Sequence, residues 1–176
     1  TEILKKIGSL VEQPAIYPHL SGYENLKNRA NLLGISKERV METLALVGLT
    51  EAAKKSAEKY SLGMKQRLGI GLALLDDPEL LILDEPTNGL DPNGIIEVRN
   101  LIKELAEKQQ KTIFISSHLL AEIEKIATHV GIINKGKMLF QGSINELQSL
   151  KTSHIIIETS DNQAAFILLQ GKYPDV

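Results

Sequence analysis

About halfway along the chain the apolar positions change their period. In the first half they recur at helical spacing: Leu26, Ala30 and Leu33, then Val40, Leu44 and Val47, then Leu68, Leu72 and Leu75. Residues three and four apart share one face of a helix, so each set predicts a helix with a buried stripe. Ser21 followed by Glu24 makes a capping box ahead of the first helix, and Gly34 closes it. Ser36 caps the second, which runs to Gly48. Residues 51–59 predict a charged, solvated helix. Residues 3–11 predict a short strand, and Pro14 and Pro18 hold residues 13–20 in a loop.

The second half alternates strands and helices. Leu80-Leu81-Ile82-Leu83 is a continuous apolar run, as in a strand covered on both faces. Asp91-Pro92 supplies an N-cap and a first-turn proline for a helix with Ile95, Val98, Ile102 and Leu105 inward. Residues 112–116 predict a second buried strand and 119–127 a second helix. Residues 130–133 and 137–140 flank Asn134-Lys135-Gly136 as a hairpin, and Ser143 with Glu146 forms another capping box. Residues 155–157 and 164–169 predict one more strand and helix. A helical block followed by a strand–helix–strand block places the chain in the α/β class.

Composition narrows the functional classes. The 176 residues are 43% hydrophobic, enough for one core or a core with a small appendage. Lys and Arg number 20 against 22 Asp and Glu, and the net charge of −2 offers no electrostatic reason to expect nucleic acid or an anionic membrane. With no cysteine there is neither a disulfide scaffold nor a thiolate metal site, which suits a reducing cytoplasm. No apolar run approaches the roughly 20 residues that cross a bilayer. The charged start Thr1-Glu2-Ile3-Leu4-Lys5-Lys6 is no signal peptide. The expectation is a soluble piece of a longer product that reaches a membrane through a partner.

Four features carry chemistry. Asp84 and Glu85 follow the apolar run, at the carboxyl end of a buried strand where open α/β sheets bind ligands. Asp84 suits Mg²⁺ held through water, and Glu85 suits orienting or deprotonating an attacking water. A simple turn at Asp84-Glu85-Pro86 is the bland alternative. Ser61-Leu62-Gly63-Met64-Lys65-Gln66-Arg67 opens a helix, whose free amides meet phosphate at its positive end. An ordinary N-cap serine would look the same. Gly89-Leu90-Asp91-Pro92 follows the strand, with helix capping as its plain reading. Ser116-Ser117-His118 ends the next strand, and the imidazole suits a hydrogen bond to a terminal phosphate.

In this order the four resemble the nucleotide-binding subunits of ATP-binding-cassette transporters, over residues 1–150. Tyr60-Ser61-Leu62-Gly63-Met64 stands for the family signature, although Leu62 and Met64 replace its usual Gly and Gln. Leu81-Ile82-Leu83-Asp84 matches Walker B, Glu85 the catalytic glutamate, Gly89-Leu90-Asp91 the D-loop and His118 the switch histidine. The resemblance implies two subunits sandwiching two ATP molecules. Ser61 and Gly63 would then touch the γ-phosphate held by the opposite subunit, and Asp91 would communicate across that interface. Glu12 stands where the family has its Q-loop glutamine, as an indirect Mg²⁺ ligand, and a shift of one residue would give the role to Gln13. That substitution and the stretch 14–26 resemble the subgroup serving lantibiotic immunity and bacitracin-type resistance.

The fold implied is α/β: an incomplete P-loop NTPase sheet with a helical subdomain and a partial C-terminal α+β extension. Residues 1–12 lead to the Q-loop, 13–78 form the signature-bearing helical subdomain, 79–150 the part with Walker B, D-loop and switch histidine, and 151–176 the partial extension. The phosphate loop G-x-x-x-x-G-K-[ST] is not found. The near match Gly131-Ile132-Ile133-Asn134-Lys135-Gly136-Lys137-Met138 ends in Met138, which has no hydroxyl for Mg²⁺, and it reads as a hairpin.

The 176 residues alone are therefore expected to be destabilised, distorted or self-associating, and not to hydrolyse ATP. The whole cassette would be an ATP hydrolase with ATP and Mg²⁺. It would pair with a second ATP-binding subunit and with membrane permease subunits at the cytoplasmic face, without nucleic acid, and power export of or immunity to a peptide antibiotic. Permease contact is expected near residues 17–27. A soluble cassette acting on DNA or ribosomes, or a non-catalytic interaction fragment, are the alternatives. His19, His129 and His154 read as ordinary surface or packing residues.

Overall fold

In the computed structural model, which describes residues 2–150 and 159–172, strand formation begins where pairing begins. Residues 2–5 form a short exposed helix, α1 (Glu2–Lys5), and β1 covers only Ile7–Leu10. The strand expected over 3–11 is shorter because β2 (Leu80–Asp84) reaches back only as far as Ile7, paired with Leu80. β2 is central, with β1 and β3 (Thr112–Ser116) parallel on its two sides.

The helices between β1 and β2 follow the caps read from the sequence. α2 (Gly22–Leu33) starts at the Ser21–Glu24 capping box and ends at Gly34 in the left-handed conformation, φ 69°. Leu26 and Ala30 are buried, whereas Leu33 is 40% exposed and falls outside the stripe. α3 (Lys37–Leu46) is capped by Ser36 and buries Val40 and Leu44, with Val47 following. α4 (Leu62–Leu74) contributes Leu68, Ile70 and Leu74 to the same core.

Residues 51–59 do not form the expected helix. They make turns and a short 3-10 segment, Ala57–Lys59. Distant backbone explains the departure: Tyr23 N–H donates to the Ala53 carbonyl (2.8 Å), Ala57 N–H to Leu20 (2.8 Å) and Glu58 N–H to Pro18 (2.7 Å). Ala53 and Ala57 are buried, so tertiary packing overrides a helix-favouring composition.

After β2 comes α5 (Pro92–Glu107), capped by Asp91, with Val98, Leu101, Ile102 and Leu105 buried and Ile95 half-buried. The helix expected over 119–127 shrinks to α6 (Leu120–Ile123) followed by turns. Leu119 supplies no capping side chain and α6 buries none of its residues, so little packing sustains a longer helix.

Residues 1–127 form one compact unit and 128–176 another. In the second, β4 (His129–Asn134) and β5 (Lys137–Ser143) pair antiparallel. They turn through Lys135 and Gly136, whose φ values of 48° and 73° give the twist a two-residue hairpin requires. This strand–turn–strand path excludes a phosphate loop at 131–138. α7 (Ile144–Ser149) starts at the Ser143–Glu146 capping box and buries Ile144 and Leu147, and α8 (Asn162–Lys172) contains the expected 164–169 helix. The strand expected at 155–157, with His154, lies outside the described residues. His19 is exposed and meets Tyr17 edge-on, while exposed His129 stands 3.2 Å from the Thr128 hydroxyl.

Candidate functional site

β2 and β3 leave the sheet at the same level, because Asp84 pairs in register with Ser116. Leu81 and Leu83, both almost fully buried, fix β2 in the core and set Asp84 at its end. The backbone then turns into the left-handed region at Glu85, φ 47°, a conformation side-chain-bearing residues rarely adopt. Glu85 N–H donates to the Ser116 carbonyl (3.2 Å) and the Ser116 hydroxyl oxygen (3.0 Å). Asn88 N–H closes the turn on the Glu85 carbonyl (3.0 Å). The Ser116 hydroxyl donates to Asp84 Oδ1.

His118, two residues past β3, places Nδ1 3.0 Å from Glu85 Oε2. An ionised carboxylate only accepts, so with Glu85 ionised the ring proton sits on Nδ1 and a neutral ring has an acceptor at Nε2. Donation to a phosphate, the role expected of this imidazole from sequence, therefore needs a second ring proton if it comes from Nε2. Donation from Nδ1 needs the Glu85 contact to open.

A second group forms where two helices start. Ser61 is the N-cap of α4, and its hydroxyl oxygen accepts from Met64 N–H (3.2 Å). Asp91 caps α5, accepting from Gly94 N–H (3.0 Å). A methyl group added at Gly63 would stand 3.4 Å from Gly94 Cα, and one at Gly89 would stand 3.5 Å from Leu62 Cδ2, so the two helix starts adjoin. Arg67 fastens them: its guanidinium pairs with Glu97 at 3.2 Å and donates to the carbonyls of Val47 (2.9 Å) and Gly48 (3.0 Å). The far end of α4 is held by Arg39, which donates to the Leu74 (3.0 Å) and Leu75 (3.3 Å) carbonyls and to Asp77 (3.1 Å). The Lys111 ammonium, followed by Arg39, keeps the Asp77 carboxyl below its usual range.

The structure thus joins Asp84, Glu85 and His118 in one group, and Ser61 and Gly63 with Gly89 and Asp91 in another. Among the described residues no hydrogen bond or ion pair links the two. Glu12 and Gln13 are exposed, beyond the end of β1, with Glu12 at φ 52°. No group of three His, Asp or Glu side chains among the described residues is set to hold a metal ion by itself. Ser116 received no role from the sequence, although it lies in the Ser116-Ser117-His118 stretch. The only signal that could have found it is its strand register opposite Asp84.

Comparison with known proteins identifies the family. Residues 1–88 match the family model described as ABC transporter. The chain is 51% identical to the bacitracin transport ATP-binding protein BcrA of Bacillus licheniformis over 173 residues, 98% of this chain and 56% of that protein. It is 45% identical to the lantibiotic transport ATP-binding protein SrtF of Streptococcus pyogenes over 159 residues, 88% of this chain and 69% of SrtF. The chain therefore spans little more than half the length of BcrA. The fold matches that of cbiO1 from Clostridium perfringens, described as part of the ABC transporter complex cbiONQ, with a TM-score of 0.76 at 23% identity, covering 98% of this chain and 66% of that one. By its family model and by its likeness to SrtF, the chain belongs to the ABC transporter family.

Proposed function

We propose that the chain is part of the ATP-binding and ATP-hydrolysing subunit of an ABC transporter that exports, or gives immunity to, a peptide antibiotic. The observation that carries this reading is the hydrogen-bonded set Asp84, Glu85, Ser116 and His118 at the carboxyl ends of two parallel strands. The likeness to bacitracin and lantibiotic transport proteins supports the substrate class.

Hydrolysis requires a water to attack the γ-phosphorus of ATP while the bond from that phosphorus to the β,γ-bridging oxygen breaks. Glu85 accepts the proton that the attacking water loses, and His118 steadies the terminal phosphate once its contact with Glu85 opens. The carboxylate of Asp84, its Oδ1 already accepting from the Ser116 hydroxyl, would hold Mg²⁺ through water. Glu12 would act on the same ion indirectly, through water. When bound, Mg²⁺ offsets charge on the phosphates. Ser61, Gly63 and Asp91 serve the nucleotide held by a second subunit, whose phosphates the open start of α4 would meet.

Permease docking is proposed near residues 17–27, where Tyr17 is 57% exposed. Among the described residues no helix is long and apolar enough to cross a membrane. We place the subunit at the cytoplasmic face, held there by its permease. The 176 residues by themselves are expected to give no turnover, because no phosphate loop occurs among them.

The test is ATP turnover by the full-length protein and its Glu85→Gln variant. Loss of about a hundred-fold or more in kcat, with nucleotide still bound, supports the reading, since a positioned acid–base group contributes on that order. Unchanged turnover in the variant removes Glu85 from the chemistry.

A further inference from the structure

We infer that Ser116 is a positioning residue whose one hydroxyl sets both carboxylates of the site; this rests on the reading of Glu85 above. Successive side chains of an extended strand point to opposite faces, so a straight continuation of β2 would send Asp84 and Glu85 to opposite sides of the sheet. The left-handed backbone at Glu85 breaks that alternation. Such a conformation is unfavourable for glutamate and persists only where its surroundings hold it.

Ser116 is the neighbour that does so. Its hydroxyl oxygen and its carbonyl both accept from Glu85 N–H, at 3.0 and 3.2 Å. The same hydroxyl spends its single proton on Asp84 Oδ1. One rotor is therefore locked from both directions: turning it away would release the Asp84 carboxylate and half of the hold on Glu85 together. His118 adds a third tie, on the Glu85 side chain, from two residues further along the same strand end. The adjacent Ser117 hydroxyl is differently employed, accepting from Leu119 N–H at 3.1 Å. Asp84 and Glu85 are oriented as a unit by β3, and the hydroxyl at 116 makes β3 more than a pairing partner.

Threonine and valine share a shape and differ by the hydroxyl, so Ser116→Thr and Ser116→Val in the full-length protein separate hydrogen bonding from packing. The expected result is that Ser116→Val loses about ten-fold or more in kcat with ATP affinity little changed, while Ser116→Thr stays near the parent. Amide hydrogen exchange of the nucleotide-free protein should show faster exchange at residues 84–88 in the valine variant than in the threonine variant. Equal turnover in the two variants, or equal exchange, overturns the inference. Glu85→Gln run in parallel isolates the other failure: if that variant keeps its turnover, the reading of Glu85 falls, whatever Ser116 does.

Discussion

The end of β2 and the start of α4 are both proposed to meet the phosphates of ATP, yet they are built on opposite plans. At the strand end, side chains act: Asp84, Glu85, Ser116 and His118 are tied to one another before any nucleotide is considered. At the helix start, backbone amides would act, and the side chains there serve the helix itself. Ser61 caps α4, and Arg67, buried along one side, binds helix α4 to Glu97 and the carbonyls after α3. A side-chain site needs neighbouring strands to fix its angles, whereas an amide site needs only a firmly held helix with an uncluttered end. The first is sensitive to single polar atoms, and the second to added bulk.

The largest effect should come from the support beneath the strand end. Leu83 is fully buried one residue before Asp84, so Leu83→Ala should destabilise the protein by about 2–5 kcal/mol in chemical denaturation. A cost below about 1 kcal/mol would mean that β2 is not the pillar the comparison makes it.

Next, Gly63→Ala probes the helix start. The added methyl makes an ordinary 3.4 Å contact with Gly94, and alanine favours a helix over glycine by about 0.5–1 kcal/mol. Stability should hold or rise, while ATP turnover of the full-length protein falls about ten-fold because the methyl intrudes where phosphate meets backbone. Unchanged turnover would remove Gly63 from nucleotide contact.

The smallest effect concerns the rear anchorage of α4. The folded-state pKa of Asp77 lies below its ordinary value of 3.8, chiefly through its hydrogen bond from Lys111. A depressed carboxylate contributes stability above its unfolded pKa and loses it as pH falls through the folded value. Between neutral pH and pH about 2, the parent should therefore lose more stability than Asp77→Asn. The difference should stay under about 1 kcal/mol, because the carboxylate is largely exposed. A thermal melt series across acid pH measures it, and parallel curves would show that these ion pairs contribute nothing.

The amino-acid order by itself determined what depends on neighbours within a few residues. Ser21 with Glu24, Ser143 with Glu146, and Asp91 with Pro92 start helices where the local pattern places them. The apolar run 80–83 forms a strand, which buries Leu81 and Leu83 and leaves Leu80 and Ile82 half-buried. The order of Ser61, Asp84, Asp91 and His118 also made the family legible.

What only the tertiary structure decided depends on hydrogen bonds between residues far apart in sequence. Residues 51–59 abandon a helix because carbonyl and amide partners at 18–23 claim their backbone. Residues 119–127 form one turn of helix because no packing rewards more. Glu85 turns left-handed, and Ser116 joins both carboxylates, because parallel register sets Ser116 beside Asp84, 32 positions earlier in the chain. Local patterns reveal caps and periods; a hydroxyl shared across two strands becomes visible only when the strands are side by side.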